Sequence, residues 1–227
     1  MDSSSSHSHP SYLQHHFDTP AQQFSAAKLG MWLFLAQEVL FFSGLFVAYG
    51  IFRSWYPEAF SVGSHLLDWR MGAINTIVLL FSSLTAALAV RSSQVGNRKQ
   101  TNVYIILTIV CAFVFMIIKY FEYSHKIHIG LLPGEFFKEA GAIEEMGGGA
   151  TTVPYHLRSF FGIYFMMTGV HGLHVLIGIG VFIWLLVRNQ KGAFGPDYYT
   201  PVDAAALYWH LVDLIWIYLF PLLYLID

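Results

Sequence analysis

The chain has 227 residues, of which 56% are hydrophobic and only 11% are charged. A soluble domain has about 25% charged residues, so this chain has too little polar surface to cover a water-soluble monomer. The formal net charge of −2 argues against a nucleic-acid partner. The single cysteine, Cys111, excludes an intrachain disulfide, a thiolate zinc site and a c-type haem attachment. The composition is that of a polytopic membrane protein.

The first 27 residues are polar and rich in Ser, His, Gln and Pro. They lack the basic segment and the apolar core of a secretory signal. We therefore interpret residues 1–27 as a mobile polar tail. Four histidines of this tail could bind a metal adventitiously, but a solvated tail without a role is the simpler interpretation. These histidines are His7, His9, His15 and His16.

Five long apolar runs follow and predict a membrane domain over residues 28–227. A helix needs about 20 apolar residues to cross a bilayer, and an apolar run of that length satisfies its backbone in lipid by forming a helix. The predicted fold class is therefore all-α, a polytopic transmembrane helical bundle with five spans. The spans are predicted at about 29–52, 71–91, 103–123, 157–187 and 204–226.

The connections between the predicted spans differ in charge. The connection between the second and third spans is short and carries Arg91 and Arg98. The connection between the fourth and fifth spans is also short and carries Arg188 and Lys191. The positive-inside rule places these loops and the N-terminus in the cytoplasm, and the C-terminus on the outer side. The connection at about 124–156 is instead long, acidic and rich in glycine. We interpret it as an external loop that offers a docking surface.

The first predicted span contains a carboxyl group, Glu38, near its middle. Ionisable side chains inside a span are costly and commonly functional. Two interpretations stay open: a proton-handling carboxyl that reacts with carbodiimides, or a protonated carboxyl that hydrogen-bonds a neighbouring helix. Gly30, Gln37 and Gly44 recur every seven residues beside Glu38. This stripe favours close contact with another helix.

The last two spans each carry a polar pair with a spacing of three residues. His171 and His174 lie on one face of the fourth span, where they are either two metal ligands or two hydrogen-bonding side chains between helices. His210 and Asp213 in the fifth span can support one another across one turn. They are either a proton relay or a neutralised internal pair.

The third span ends with Lys119 and Glu122, which we interpret as a structural polar pair with a lysine that snorkels to the interface. Di-metal helical bundles use a Glu-x-x-His motif, and none lies wholly within a predicted span. The sequence therefore predicts no catalytic, metal-binding or cofactor-binding residue in this chain, and no redox centre of its own.

Five sequence stretches carry a family resemblance that samples every predicted span. They resemble subunit III of the haem–copper cytochrome c oxidases, in its short five-helix bacterial form. The stretches are QEVLFFSGLF (37–46), INTIVLLFSS (74–83), FEYSH (121–125), TGVHGLHVLIG (168–178) and YWHLVDLIWIYLF (208–220).

This resemblance implies a non-catalytic accessory subunit of a respiratory oxidase in the bacterial inner membrane. It implies that haem and copper lie in the partner subunits I and II, and that this chain stabilises subunit I. It also implies support of proton uptake during electron transfer from cytochrome c to dioxygen with proton translocation, and slower inactivation during turnover. Bound phospholipid and, through the external loop, other respiratory complexes are further expected partners.

The resemblance also implies roles for the polar residues. Glu38 falls on the carboxyl that reacts with carbodiimide in this family. The four polar residues of the last two spans fall on the polar positions of the family's motifs: His171, His174, His210 and Asp213.

Three alternatives remain open at the level of sequence. The related quinol oxidases and nitric-oxide-reductase operons have a similar five-span subunit, although the quinol forms tend to carry Asp at the position of Glu38. An independent proton-coupled transporter would need Glu38 and Asp213 to line a water-accessible path. A metal-binding bundle would use His171 as a ligand.

Overall fold

The computed structural model describes residues 12–146, 154 and 156–226. His7 and His9 lie outside these residues, as does part of the glycine-rich connection, 147–153. Within these described residues, five helices are long and apolar enough to cross a membrane, which confirms the predicted fold class and number of spans. The α-helices are α1 (Pro20–Trp55), α2 (Pro57–His65), α3 (Trp69–Gln94), α4 (Arg98–His128), α5 (Glu139–Glu145), α6 (Leu157–Gln190) and α7 (Thr200–Tyr224).

Four of the long helices form a closed ring, in which α3 packs on α4, α4 on α6, α6 on α7, and α7 back on α3. Helix α1 lies outside the ring, against α6 and α7. Most of its apolar side chains are exposed, as expected for a helix that faces lipid or a partner. A Cβ added to Gly30 or Gly44 of the predicted stripe would have no atom within 4 Å, so these two glycines make no close contact with the described part of the chain.

Helix α1 begins at Pro20 and therefore extends into the segment that the sequence analysis assigned to the tail. Thr19 caps this helix, because its Oγ1 accepts a hydrogen bond of 3.1 Å from the backbone N–H of Gln22. The ring of Tyr12 stacks on the ring of Tyr198 with centroids 5.0 Å apart. The end of the tail nearest to α1 thus packs against the α6–α7 connection.

The two short basic connections lie together at one end of the bundle, which we call the basic end. A Cβ added to Gly96 in the α3–α4 connection would lie 3.2 Å from Pro196 in the α6–α7 connection. Asn189 Nδ2 donates a hydrogen bond of 2.8 Å to Asn102 Oδ1 and so joins α6 to α4 near the same end. The packing of Tyr12 on Tyr198 places the described part of the tail at this end as well.

The opposite end, which we call the acidic end, contains two short helices, α2 and α5, in the connections between spans. Helix α5 packs closely on the end of α4, because a Cβ at Gly141 would lie 1.7 Å from the carbonyl oxygen of Ile129. The buried Lys126 donates hydrogen bonds to the carbonyl oxygen of Leu66 and, at 2.9 Å, to Glu145 Oε1. The first part of the 124–156 connection is therefore folded onto its own chain.

Acid should release α5 from the end of α4. Burial raises the pKa of Glu145, but the hydrogen bonds and charges of Lys126 and His125 outweigh it and hold this pKa below its ordinary value of 4.5. A depressed carboxyl pKa stabilises the fold above the unfolded pKa, and the contribution is lost as pH falls through the folded pKa. We expect hydrogen exchange of residues 139–146, corrected for intrinsic rates, to lose protection below the ordinary pKa of glutamate. Glu145→Gln should lack this protection already at pH 7, and an unchanged Glu145→Gln would contradict the prediction.

Two glycines of α6 provide a matched pair for testing how closely α6 packs on α7. A Cβ at Gly178 would lie 2.5 Å from the Trp209 ring, whereas a Cβ at Gly180 would have no atom within 4 Å. We expect Gly178→Ala to cost about 1–3 kcal/mol through overpacking. Gly180→Ala should leave the Tm unchanged or raise it, because alanine favours a helix. Equal Tm values for the two variants would show that α6 and α7 are not in close contact here.

Candidate functional site

The predicted polar residues do not form one site. The structure distributes them over three places in the bundle: a pair between α1 and α6, a network joining α4, α6 and α7, and separate side chains on α6 and α7.

Glu38 and His174 form a pair between α1 and α6. His174 Nε2 lies 3.0 Å from Glu38 Oε2, and His174 Nδ1 lies 2.8 Å from the carbonyl oxygen of Val170. A carbonyl oxygen only accepts hydrogen bonds, so Nδ1 carries a hydrogen. The side chains of Glu38 and His174 are only 11% and 14% exposed. The rings of Phe42 and Phe41 lie 5.1 and 6.2 Å from the imidazole.

These two hydrogen bonds determine how many hydrogens the pair holds. A hydrogen bond between Nε2 and Oε2 requires one hydrogen between these atoms, and together with the hydrogen on Nδ1 it gives a pair without net charge. A neutral pair is the arrangement that a low-dielectric span tolerates best. The structure therefore brings Glu38 together with a specific partner on another helix, which its sequence position alone did not identify.

Lys119 and Glu122 lie inside the bundle and belong to a closed hydrogen-bond network. Lys119 Nζ donates to Glu122 Oε2 at 2.8 Å, to the Tyr164 hydroxyl at 3.1 Å and to the Tyr224 hydroxyl at 2.9 Å. Both hydroxyls in turn donate to Glu122 Oε1, at 2.9 and 2.6 Å. The ammonium thus uses all three of its protons, and the carboxylate accepts three hydrogen bonds. We call these four residues the lysine network.

The lysine network is also enclosed by aromatic rings. The ammonium of Lys119 lies 5.1 Å from the ring centroid of Tyr123 and 5.3 Å from that of Trp216, within range of a cation–π attraction. The Lys119 and Glu122 side chains are 8% and 2% exposed. The prediction of a lysine that snorkels to the interface is therefore wrong, because the bundle offers the ammonium three buried oxygen acceptors and aromatic faces.

Sequence reasoning missed the two tyrosines of the lysine network. Tyr164 and Tyr224 are fully or almost fully buried. A buried tyrosine usually needs a hydrogen-bond partner for its hydroxyl, so two tyrosines within apolar spans were a usable indication. The sequence does not show that they converge on one lysine, since that depends on how α6 and α7 rotate about their axes.

His171 and His174 contact different parts of the bundle, despite their spacing. His171 is fully buried, with its ring 5.5 Å from that of Phe115 and 5.2 Å from that of Trp216. Among the residues that the structure describes, neither of its ring nitrogens has a hydrogen-bond partner. His174 is turned instead toward α1 and Glu38. The two imidazoles are therefore not arranged as a pair of ligands to one ion.

His210 and Asp213 are likewise separate. His210 Nδ1 lies 2.6 Å from Ser83 Oγ on α3, and this contact joins α7 to α3. Asp213 is buried, and within the described part of the chain neither of its carboxylate oxygens has a hydrogen-bond partner. The spacing predicted a contact of His210 with Asp213 within α7, but His210 instead contacts Ser83 on α3. Ser83, which the sequence analysis passed over, is the partner that His210 uses.

A metal site was one of the alternatives from the sequence. In the ranges 12–146 and 156–226, no three His, Cys, Asp or Glu side chains form a group that could hold a metal ion. His15 and His16 of the tail lie side by side, with ring centroids 5.2 Å apart.

The family model that matches this chain and the relatives that resemble it agree on one protein family. The family model described as "Cytochrome c oxidase subunit III" matches residues 9–141 and 150–227. "Cytochrome c oxidase subunit 3" of Papio hamadryas is 32% identical over 225 residues, which cover 94% of this chain and 74% of the relative. The protein of the same name from Corynebacterium diphtheriae is 30% identical and covers 88% of this chain and 87% of the relative.

A third relative carries a different name. "Quinol oxidase subunit 3" of Bacillus spizizenii is 27% identical over 199 residues, which cover 88% of this chain and 86% of the relative. The family match covers most of the chain, and the long helices fit a multi-pass membrane protein. The chain belongs to the cytochrome c oxidase subunit III family and is a subunit III of the haem–copper oxidases.

Proposed function

We propose that this chain is the non-catalytic subunit III of a respiratory cytochrome c oxidase, which stabilises subunit I and sustains proton uptake. Electrons pass from cytochrome c to dioxygen through the haem and copper of subunits I and II, with proton translocation. The observation that carries the accessory role is the closed lysine network. The three ammonium protons of Lys119 are all donated, to Glu122 and to two tyrosine hydroxyls. The network therefore holds helices together and leaves no ammonium proton for a substrate.

The proposed location is a bacterial inner membrane, with the basic end in the cytoplasm. Arg91, Arg98, Arg188 and Lys191 lie at or near that end, which the positive-inside rule assigns to the cytoplasm. The N-terminus then lies in the cytoplasm and the C-terminus in the periplasm. Exposed apolar side chains along the long helices offer surface for membrane lipid and for oxidase subunits I and II. Exposed Glu139 and Glu144 at the acidic end offer a surface to other respiratory complexes.

Affinity purification of the chain in mild detergent tests this proposal. We expect haem proteins to co-purify and to show a reduced-minus-oxidised visible spectrum together with oxygen consumption. A colourless chain without partners, obtained again in a gentler detergent, would overturn the oxidase assignment and favour an independent transporter. In that case, proton flux through the lone chain in liposomes should disappear in Glu38→Gln.

The electron donor separates the two kinds of oxidase. The relatives named for cytochrome c are 32% and 30% identical to this chain, whereas the Bacillus spizizenii relative named for quinol is 27% identical. Oxygen uptake by the purified assembly should therefore be supported by reduced cytochrome c and not by a quinol. Uptake with quinol alone would assign the chain to the quinol branch.

Removal of this chain from the assembly should shorten the working life of the oxidase more than it lowers the initial rate. Subunit I would keep its redox centres but lose the surface that stabilises it. The measurement is oxygen consumption over time at saturating cytochrome c, with and without this chain, which gives the number of turnovers before inactivation. An equal number of turnovers in both preparations would contradict the proposed role.

A further inference from the structure

Helix α1 is held against its own chain along one side only. Polar contacts of Lys28, Glu38 and Tyr49 join it to α6 and α7. These three side chains and the buried Leu35 and Phe42 recur at intervals of three, four and seven residues, so they lie on one side of the helix. The contacts therefore fix how α1 is rotated about its axis and which of its residues point away from the bundle.

The side of α1 that points away from the bundle, which we call the outer face, has a regular pattern. Its residues follow one another at alternating steps of three and four, which keeps them on one line along the helix. All of them are exposed, and a Cβ added to either glycine would have no atom within 4 Å. The outer face consists of Gly30, Leu33, Gln37, Leu40, Gly44, Val47 and Ile51.

The outer face contains an amide group, that of Gln37, inside the membrane-spanning helix. Gln37 makes no hydrogen bond with any residue that the structure describes, apart from those of its helical backbone. Along the helix it lies roughly 14 Å from Lys28 and roughly 24 Å from Arg53, the charged residues that flank the span. Its short side chain therefore does not reach water, and an unpaired amide in lipid is costly. A polar group of another molecule is needed to pair it.

The outer side of α3 shows what a surface made only for lipid looks like. Its exposed side chains are bulky and apolar, and they include Ile77, Leu80, Phe81 and Leu84. The outer face of α1 instead combines two glycines with an amide. Both features are typical of contact between membrane helices, because small residues let a second backbone approach and amides hydrogen-bond across helices.

A second copy of this chain does not fit the outer face. Two copies have the same orientation in the membrane, so their α1 helices would run parallel and each residue would meet its own counterpart. Leu33 and Leu40 would then hold the two axes about 8–10 Å apart, and gaps would remain where Gly30 and Gly44 meet their counterparts. A different helix can place large side chains over the glycines and small ones over the leucines.

We propose that the outer face of α1 binds one transmembrane helix of a different membrane protein chain. This helix places large apolar side chains over Gly30 and Gly44 and a hydrogen-bonding side chain beside Gln37. The identity of the chain rests on the proposed function, which makes it another subunit of the oxidase.

Photocrosslinking in the native membrane, followed by purification of the assembly, tests this docking site. Benzoylphenylalanine replaces Leu33, Leu40 or Val47 on the outer face, and Leu80 on α3 serves as the control position. We expect the three outer-face positions to form adducts with successive turns of one helix in a single partner chain, and position 80 to form none with that helix. Adducts of the outer-face positions with lipid alone, or with a second copy of this chain, would overturn the proposal.

Two glycines of α1 provide matched variants. A Cβ added to Gly44 or to Gly50 would have no atom within 4 Å, but only Gly44 belongs to the outer face. We expect Gly44→Leu to lower the amount of partner retained per chain about tenfold and Gln37→Leu to lower it about threefold. Gly50→Leu should leave the retained amount unchanged. Equal retention in Gly44→Leu and Gly50→Leu would contradict the proposal.

The haem content of the same preparations separates the docking site from the proposed function. Haem in the assembly, together with outer-face adducts to lipid alone, would refute the docking site and keep the oxidase assignment. Adducts to one helix of a partner in an assembly without haem would keep the docking site and refute the oxidase assignment.

Discussion

Lys119→Met will lower the free energy of unfolding by about 3–5 kcal/mol, the usual cost of removing one partner of a buried ion pair. The variant leaves the Glu122 carboxylate, which is 2% exposed, with two tyrosine hydroxyls and no positive charge. Methionine fills a similar volume, so the loss reports on charge rather than on a cavity. The measurement is equilibrium unfolding in mixed micelles, followed by tryptophan fluorescence.

Two comparisons make this result specific. Lys28→Met breaks a contact of 3.9 Å with Asp203 in which the lysine side chain is 45% exposed, so it should cost at most about 1 kcal/mol. Lys119→Met combined with Glu122→Gln should cost less than Lys119→Met alone, because no buried charge is left unpaired. If Lys119→Met were as mild as Lys28→Met, the lysine network would not hold the helices together.

Trp216→Ala will be similarly damaging, at about 3–5 kcal/mol, because it opens a large cavity in the middle of the ring. Trp216 is fully buried, its ring lies 4.9 Å from that of Phe115, and its Nε1–H donates to Thr76 Oγ1 at 3.1 Å. Trp216→Phe should cost much less, since it keeps an aromatic ring against Phe115 and removes one hydrogen bond worth about 1 kcal/mol.

Trp32 provides the control, because it is 57% exposed on α1. Trp32→Ala should change the free energy of unfolding by no more than about 0.5 kcal/mol. The same unfolding measurement applies to all three variants. Comparable losses for Trp216→Ala and Trp32→Ala would show that the ring is not the stable part of the fold.

The spans were predictable because hydropathy over about 20 residues depends on composition and hardly on neighbours. The residues within the spans were harder to interpret, because their partners lie on helices far away in sequence. Glu38 and His174 are 136 positions apart, and Lys119 and Tyr224 are 105 positions apart. A spacing of three residues predicts a shared helix face, but it does not say what that face contacts.

His171 and His174 illustrate that limit. Their spacing places them on neighbouring positions of α6, yet one is enclosed by Phe115 and Trp216 and the other contacts α1. Lys119 shows a second limit. A lysine near the end of a span usually reaches the interface, and the sequence does not reveal that α6 and α7 supply buried hydroxyls instead.

The closed ring of α3, α4, α6 and α7 has a consequence for biogenesis. Helix α7 leaves the ribosome after the other three, and it supplies the contacts that join α3 to α6. Until it is inserted, Thr76, Ser82 and Ser83 on α3 lack the indole and imidazole groups that they contact in the folded chain. Lys119 likewise lacks the Tyr224 hydroxyl during this period. The ring therefore assembles after synthesis of its last helix, so nascent chains stalled before α7 should be preferred substrates of membrane quality-control proteases.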